Sequence, residues 1–238
     1  MEFEVLYIDD YIVAINKPFG YLVHRTDLDE EQDLVLVKIL SEHFGKKVYS
    51  VHRLDKKTTG VILFSFDREI VKILHREFRK RMVKKTYLAV VKGAPARKGE
   101  IESLLTNVSG EIQWALTRFE LIEKIDTSNS IPPKFPANHY SLLKLFPYTG
   151  RMHQLRKHLA SIYHPIIGDR THGSLKQNAF FYDHFDFNEM LLHASNISFL
   201  HPVNGEVVSL SAKLGDEFLR MLYVMGFDHD NTKDIVFF

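Results

Sequence analysis

Short apolar runs separated by polar turns dominate the first 66 residues, and runs of this length predict strands. The first two are split by Asp9 and Asp10, which is typical of a β-hairpin over residues 2–17. The next two are β-branched and aromatic, and they flank a polar loop. The four runs are Val5–Ile8, Ile12–Ile15, Val48–Val51 and Val61–Phe66.

Apolar residues at helical spacing predict helices elsewhere in the chain. One helix is expected within residues 33–44, and a second follows Asp67, whose side chain suits the N-cap position. A third is expected after Gly150 and a fourth over Leu214–Val224. The buried stripes of the first three are Leu36, Leu40 and Phe44; Ile70, Leu74 and Phe78; and Leu155, Leu159 and Ile162.

The remaining strand patterns complete the predicted fold. They are Thr86–Val91, His139–Phe146, Leu191–Leu200 and Val207–Leu210. The pattern is weak between residues 106 and 138, and the proline-containing stretch Thr127–Asn138 indicates a loop. Strands outnumber helices and do not alternate with them regularly, so we expect an α+β fold with a mainly antiparallel mixed central sheet. The whole chain, residues 1–238, is predicted to be a single domain.

Charge is distributed unevenly behind a formal net charge of +1. Residues 71–98 contain ten Lys and Arg side chains and one acid, Glu77, and such a segment is typical of a surface that binds a polyanion. The alternative is a solvated helix face. Cysteine is absent, which excludes disulfides, thiolate nucleophiles and Cys-ligated zinc and agrees with a reducing cytoplasm. No apolar run is long enough to predict a membrane segment.

The polar loop His52–Gly60 is the densest group of chemically useful side chains. Asp55 lies among Arg53, Lys56 and Lys57, and these cations are expected to keep its carboxylate ionised. A loop between two buried strands is a rigidly supported position for a site. The alternative interpretation is a surface aspartate in an ordinary turn that ends in glycine.

Three further segments carry candidate chemistry. In Thr149–His158, Arg156 falls at the margin of a buried helix face, so its guanidinium needs a partner, usually a carboxylate. The five-residue spacing of His153 and His158 does not favour a metal pair. Tyr87 in Lys84–Tyr87 either packs in the core or stacks on a base. Asn16–Gly20 lacks the glycine spacing of a phosphate-binding loop.

Taken together and in this order, these segments resemble the hallmark stretches of the RluA-type pseudouridine synthases. The matching stretches are Asn16–Gly20, His52–Asp55, Lys85–Tyr87, Gly150–His158, His164–Asp169 and Leu192–Ala194. The resemblance implies an enzyme that isomerises uridine to pseudouridine in RNA. Nothing is oxidised in that reaction, so it implies neither a cofactor nor a metal.

The resemblance also implies roles for individual residues. Asp55 is the catalytic carboxylate, acting either on the base or at the sugar. Arg156 holds Asp55 ionised, and Tyr87 stacks on a flipped-out base. The implied substrate-binding residues are Arg53, His52, Leu155 and Lys85.

Some stretches are most similar to a subgroup that modifies transfer RNA. They include Leu22–Arg25, Leu28-Asp29 and Gly168–Gly173, with His172 where much of the family has tyrosine. This likeness implies uridine 65 of transfer RNA as the target, a cytoplasmic monomer and no N-terminal S4-type domain. The alternatives are a ribosomal RNA target, a non-catalytic RNA-binding module, and a hydrolase that uses Asp55 with His52 or His153.

Overall fold

Ten strands and five helices occur in the residues that the computed structural model describes, which are 3–24, 34–128 and 133–228. The strands are β1 (Glu4–Ile8), β2 (Ile12–Lys17), β3 (Tyr49–Ser50), β4 (Thr59–Ser65), β5 (Lys84–Lys92), β6 (Lys98–Thr106), β7 (Ile112–Asp126), β8 (His139–Pro147), β9 (Leu192–Leu200) and β10 (Val207–Ser211). The helices are α1 (Leu36–Phe44), α2 (Arg68–Arg79), α3 (Gln154–Ser161), α4 (Leu175–Phe185) and α5 (Asp216–Met225). The mixture of elements and the antiparallel strand pairs confirm the predicted α+β class.

The chain divides into two compact units. The first unit contains Met1–Lys85 and Ala194–Lys213, and the second contains Thr86–His193 and Leu214–Phe238. Two of the three boundaries fall inside β5 and β9, so each of these strands contributes to both units, and the third follows β10. The assignment of residues 1–238 to one catalytic domain stays a prediction.

Antiparallel pairs build the sheet of the first unit. The β1–β2 hairpin is present as predicted, and β2 pairs with β4 in a register that sets Ile12 opposite Ser65. The short strand β3 also pairs with β4, and β10 pairs with β9. Because β2 and β4 are buried along almost their whole length, they form the centre of this sheet.

Helix α2 covers the core of the first unit. The Asp67 side chain accepts a hydrogen bond from the Glu69 amide at 2.6 Å, which confirms the predicted N-cap. Ile70 and Leu74 are buried against apolar side chains of β2 and β4. Each buried side chain of this size contributes about 1.5–3 kcal/mol, so packing determines which face of the helix points inward.

The second unit contains a sheet with the strand order β5-β8-β7-β6, and every neighbouring pair is antiparallel. Both faces of β5 and β8 are buried. One face carries Leu88 and Leu142 and packs against α4 and α5, while the other carries Ala89 and Leu143 and packs against α3. This alternation follows from the period-two geometry of a strand.

Three elements were missing from the prediction, and a fourth was shorter than expected. β6 and β7 are half-exposed strands with charged side chains on one face, so they lack the continuous apolar run that marked the other strands. α4 was also missed. Strand β3 covers only Tyr49–Ser50, so the predicted strand Val48–Val51 was too long.

Some predictions fall on residues outside the described ranges. They concern the terminal residues 1–2 and 229–238, part of the loop Thr127–Asn138, and Arg25 and Leu28-Asp29 of the transfer-RNA subgroup likeness. Within the described ranges, no helix has the length and apolar character needed to cross a membrane.

Candidate active site

The loop that carries Asp55 connects β3 to β4 in the first unit. Leu54 is buried, Arg53 is exposed, and Asp55 itself is partly buried. The Asp55 carbonyl accepts a hydrogen bond from the Thr58 amide at 3.0 Å, which closes a tight turn directly after the carboxylate. The position of Asp55 is therefore determined by the turn as well as by the buried Leu54.

The ammonium of Lys17 supports this turn through hydrogen bonds to its carbonyl groups. Lys17 is fully buried at the end of β2, and its ammonium donates to the carbonyls of Pro18, Lys56 and Thr58 at 2.9, 3.0 and 2.9 Å. A buried ammonium must have its hydrogen bonds satisfied, and these three carbonyls do so. The lysine thereby connects the Asn16–Gly20 segment to the Asp55 loop, a role that the sequence interpretation did not assign to it.

Gly60 ends the loop in a conformation that needs glycine. Its φ is +107°, and a Cβ at this position would lie 2.2 Å from the carbonyl oxygen of Ala194. Both the backbone angle and the close approach of β9 therefore exclude a side chain. Gly60 is the second residue of β4, so this contact fixes the start of the strand directly after the loop.

His52 is a neutral hydrogen-bond acceptor in this structure. Its Nε2 accepts from the Leu63 amide at 3.1 Å, and its ring lies 5.2 Å from the ring of Phe78. Burial and the nearby charge of Lys85 lower the pKa of His52 to about 3. These contacts give the imidazole a structural function, and its predicted role in substrate binding stays a prediction.

Lys85 and Arg53 make the first unit positive near the loop. Burial lowers the pKa of Lys85 to about 8, and its ammonium lies 5.9 Å from the centre of the Phe78 ring. Partial burial and the charge of Arg53 lower the pKa of His24, which hydrogen-bonds with Ser50. Cations grouped in this way favour the approach of an anion such as a phosphate.

In the second unit, Gln154 organises the segment that leads into α3. Its side-chain oxygen accepts from the Thr149 hydroxyl at 2.6 Å and from the Arg151 amide at 3.0 Å. Its side-chain nitrogen donates to the Leu116 carbonyl and to the Thr117 hydroxyl, each at 3.0 Å. The amide thereby attaches the turn before α3 to strand β7.

Arg156 is buried and paired with Asp169. Its Nε donates to Oδ2 at 2.8 Å and its Nη2 donates to Oδ1 at 2.7 Å, a bidentate ion pair in which the carboxylate is fully buried. Hydrogen bonds from Arg156 and from the backbone amides of His172 and Thr171 hold the pKa of Asp169 below its usual value against the opposing effect of burial. The expectation of a carboxylate partner for Arg156 is confirmed. The role implied for Asp55 as its partner stays a prediction.

Leu155 and Tyr87 belong to the same apolar cluster of the second unit. Leu155 is 7% exposed, and the partly buried ring of Tyr87 packs against this cluster. The structure thus brings together Tyr87, Leu155 and Arg156 in one unit, and His52, Arg53, Asp55 and Lys85 in the other. Base stacking by Tyr87 and a base pocket lined by Leu155 are untested.

His153 and His172 form a pair that the sequence interpretation did not anticipate. The Nδ1 of His153 lies 3.0 Å from the Nε2 of His172, and His153 has a left-handed backbone with φ of 54° at the start of α3. One ring nitrogen must donate and the other accept, so at least one of the two rings is neutral. Their separation of 19 residues gives no local spacing that could have indicated the contact.

His158 connects α3 to strands β6 and β7 through the hydrogen bonds of its ring. Its ring nitrogens lie 3.0 Å from the Thr117 hydroxyl and 3.1 Å from the Ser103 hydroxyl, and burial lowers its pKa. Within residues 3–24, 34–128 and 133–228, no group of three or more His, Asp or Glu side chains is arranged to hold a metal ion.

Comparison with known proteins identifies relatives along most of the chain. A family model described as RNA pseudouridylate synthase matches residues 11–161. The chain is 36% identical over 234 residues to tRNA pseudouridine synthase C of Yersinia pestis, covering 94% of this chain and 91% of the relative. It is 38% identical over 221 residues to the protein of that name from Pectobacterium carotovorum subsp. carotovorum, covering 88% of this chain and 58% of the relative's length.

Solved structures show the same fold. Human RNA Pseudouridylate Synthase Domain Containing 1 matches with a TM-score of 0.73 and 23% identity, covering 99% of this chain and 94% of that one. Human RNA Pseudouridylate Synthase Domain Containing 4 matches with a TM-score of 0.72 and 24% identity, covering 93% and 92%. These two likenesses concern the fold alone.

Proposed function

Because the chain belongs to the RNA pseudouridylate synthase family, and hence isomerises uridine to pseudouridine, we propose that its substrate is a transfer RNA and that Asp55 is its catalytic carboxylate. The target uridine is position 65. Transfer RNA is named in the relatives from Yersinia pestis and Pectobacterium carotovorum subsp. carotovorum. The exposed cations of residues 71–98 provide the charge that phosphate binding requires.

One observation carries the assignment of Asp55. Its loop is fixed by the Lys17 ammonium on the Lys56 and Thr58 carbonyls and by Gly60 packed against Ala194. A carboxylate that must meet one atom of a substrate benefits from such support, because misplacement by about 1 Å can cost about 10²-fold in rate. The fixed backbone and the partial exposure of Asp55 favour a catalytic role over that of an ordinary turn residue.

The proposed reaction conserves every atom of the uridine. The bond between the ribose C1′ and the uracil N1 breaks, the base turns, and C1′ joins C5. The proton on C5 is lost and N1 gains one, so the isomerisation needs no oxidant and consumes no water. Asp55 starts the cleavage by attacking either the base or the sugar. The uridine must first leave its stack, which costs a few kcal/mol.

The other residues have supporting roles in this proposal. Arg156 keeps Asp55 ionised, Tyr87 stacks on the flipped base and helps to remove the C5 proton, and Leu155 lines the base pocket. Arg53 either fills the space that the uridine leaves or steers the flipped nucleotide, while His52 and Lys85 contribute to substrate binding. These residues belong to two compact units, so the grouping rests on the sequence motifs rather than on measured distances.

The replacement Asp55→Asn tests the assignment. It keeps the size of the side chain and removes its charge, so we expect pseudouridine formation in unmodified transfer RNA to fall by about 10⁴-fold or more. The measurement is the rate of pseudouridine formation at single-nucleotide resolution, and thermal unfolding verifies the fold. Asp10→Asn is a matched control, because Asp10 is an exposed acid of the same unit. Wild-type rates in Asp55→Asn would disprove the assignment.

Two outcomes would favour the other functions. Transfer RNA binding without pseudouridine in any RNA would indicate a non-catalytic module, and release of free uracil would indicate a hydrolase. A hydrolase that uses His52 as its base needs an accessible imidazole, and the Nε2 of His52 already accepts the Leu63 amide. Pseudouridine in ribosomal RNA alone would shift the substrate to that class.

A cytoplasmic location and a monomeric state belong to the same proposal. The lack of cysteine agrees with a reducing compartment, and the family likeness favours one chain per molecule. Light scattering during size-exclusion chromatography would measure the mass of the particle. A mass near twice 27.7 kDa would contradict the monomer.

A further inference from the structure

Helices α2, α3 and α5 end with the same backbone turn, a Schellman motif. In α2 the Met82 amide donates to the Glu77 carbonyl at 3.0 Å and the Arg81 amide donates to the Phe78 carbonyl at 3.1 Å. In α5 the Phe227 amide donates to Leu222 and the Gly226 amide donates to Tyr223, both at 3.0 Å. Such a turn requires a left-handed residue, usually glycine, and is normally followed by an apolar residue that packs back on the helix.

Helix α5 follows both preferences, and α2 follows neither. The left-handed residue of α5 is Gly226, and the next residue, Phe227, is 4% exposed. In α2 the left-handed residue is Arg81, with φ of 62°, and the next residue, Met82, is 55% exposed. Departures from local preference are expected at positions that serve a function.

The surroundings of this turn are cationic. Arg76, Arg79, Lys80 and Lys84 are exposed around it. The only acid between residues 71 and 98 is Glu77, which lies 3.7 Å from Arg76 and 3.9 Å from Lys80. The α3 turn also has a left-handed residue other than glycine, Tyr163, but residues 158–168 around it contain no Lys or Arg, unlike the α2 turn. The α2 turn therefore presents an apolar side chain within a strongly positive surface.

We propose that the turn Lys80–Met82 is a contact for RNA, an inference that rests on the proposed function. Arg81 and its neighbours bind phosphates, and Met82 packs on the face of a base. Cations complement the phosphate backbone, and apolar side chains such as methionine can pack against or between bases. The left-handed backbone of Arg81 directs the chain so that both side chains are exposed at the end of α2.

The replacement Arg81→Gly separates binding from folding. Glycine is the preferred residue at this position, so the melting temperature should be unchanged or higher. The dissociation constant for an unmodified transfer RNA transcript should rise about 3–10-fold at about 0.15 M salt. The slope of log affinity against log salt should become less steep by about 1, because one phosphate contact is lost.

Two other variants complete the test. Met82→Ser should weaken binding with no change in the salt slope, because an apolar contact releases no counterions. Lys38→Ala removes one exposed charge from α1 and should leave the affinity unchanged. Equal losses in Lys38→Ala and Arg81→Gly, or wild-type affinity in both Arg81→Gly and Met82→Ser, would overturn the proposal. Wild-type protein that binds this RNA but forms no pseudouridine would instead contradict the proposed function.

Discussion

Lys17 and Arg156 are buried cations, one in each compact unit, and they are held by different partners. The Lys17 ammonium donates to three backbone carbonyls of two loops at 2.9–3.0 Å. The Arg156 guanidinium makes a bidentate pair with the carboxylate of Asp169 at 2.7 and 2.8 Å. The first arrangement fixes the path of the main chain, and the second fixes the orientation of one side chain.

The chemistry of the two cations explains this difference. An ammonium is a compact charge with three donors, so it can bind carbonyls that approach from several directions. A guanidinium is planar, and its parallel N–H groups match the two oxygens of a carboxylate. The backbone of the Asp55 loop is held by hydrogen bonds from the Lys17 ammonium to its carbonyl groups. Arg156 has a fixed orientation, as its proposed catalytic role requires.

The largest effect is expected from breaking the buried ion pair. Asp169→Asn removes the carboxylate of the bidentate pair with the buried Arg156 guanidinium and should destabilise the protein by about 3–5 kcal/mol. Urea denaturation followed by circular dichroism measures this loss. Glu217→Gln is a control because Glu217 pairs with Arg220 in the same unit but with both side chains about 40% exposed. A loss in Asp169→Asn no larger than in this control would contradict the comparison.

Replacing Lys17 should have the next largest effect. Lys17→Met keeps the apolar stem but leaves buried carbonyl groups without the ammonium donor, which should cost about 2–3 kcal/mol. The rate of pseudouridine formation should also fall, because the Asp55 loop loses its support. Lys17→Arg adds volume in a fully buried position and should not restore the rate. A stable and fully active Lys17→Met protein would show that the Asp55 loop keeps its conformation without the Lys17 ammonium.

The two buried cations also show how far the sequence predicts the site. Arg156 could be assigned a carboxylate partner because it lies at the margin of a periodic apolar stripe. Asp169 could not be identified as that partner, because a separation of 13 residues leaves the geometry to tertiary structure. Lys17 follows an apolar strand with no nearby acid, so its pattern did not indicate burial.

The fold was predictable where one face or both faces of an element were uniformly apolar. The hairpin β1–β2, the capped helix α2 and strands β4, β5 and β8 have clear periodicity and were confirmed. Strands β6 and β7 were missed because they are half exposed and carry charged side chains, so neither has the continuous apolar run that marks a buried strand. The His153–His172 contact lay beyond the prediction, since no local spacing brings these rings together.

His52 in the first unit and Asp169 in the second should respond to pH in different ranges. The pKa of His52 is about 3 in the folded protein, below its usual value of 6.5, because of burial and Lys85. Between these values the unfolded chain binds a proton that the folded chain does not, so stability falls as the pH decreases from about 6.5 towards 3. The pKa of Asp169 is lowered from 3.8, so its contribution is lost only below about pH 4.

The variant His52→Gln tests this assignment. Its amide oxygen can still accept the Leu63 N–H, but it does not titrate. We expect the loss of stability between pH 6.5 and 4 to be smaller than in wild type by about 1–2 kcal/mol, after allowance for the partial exposure of His52. His24 and His158 also have lowered pKa values and give slopes of the same sign, so the difference between the two proteins is decisive. Identical pH profiles would disprove the role of His52.

The smallest effect is expected where an ion pair is exposed. Lys98 and Glu120 are 2.9 Å apart on neighbouring strands β6 and β7, with side chains 68% and 43% exposed. Water screens their attraction and both side chains lose freedom when they pair, so a double-mutant cycle to alanine should give a coupling of about 0–1 kcal/mol. The same cycle on Arg156 and Asp169 should give several times that value, because there the partners are shielded from water. A coupling at Lys98–Glu120 equal to that of the buried pair would mean that burial is not what distinguishes the two sites.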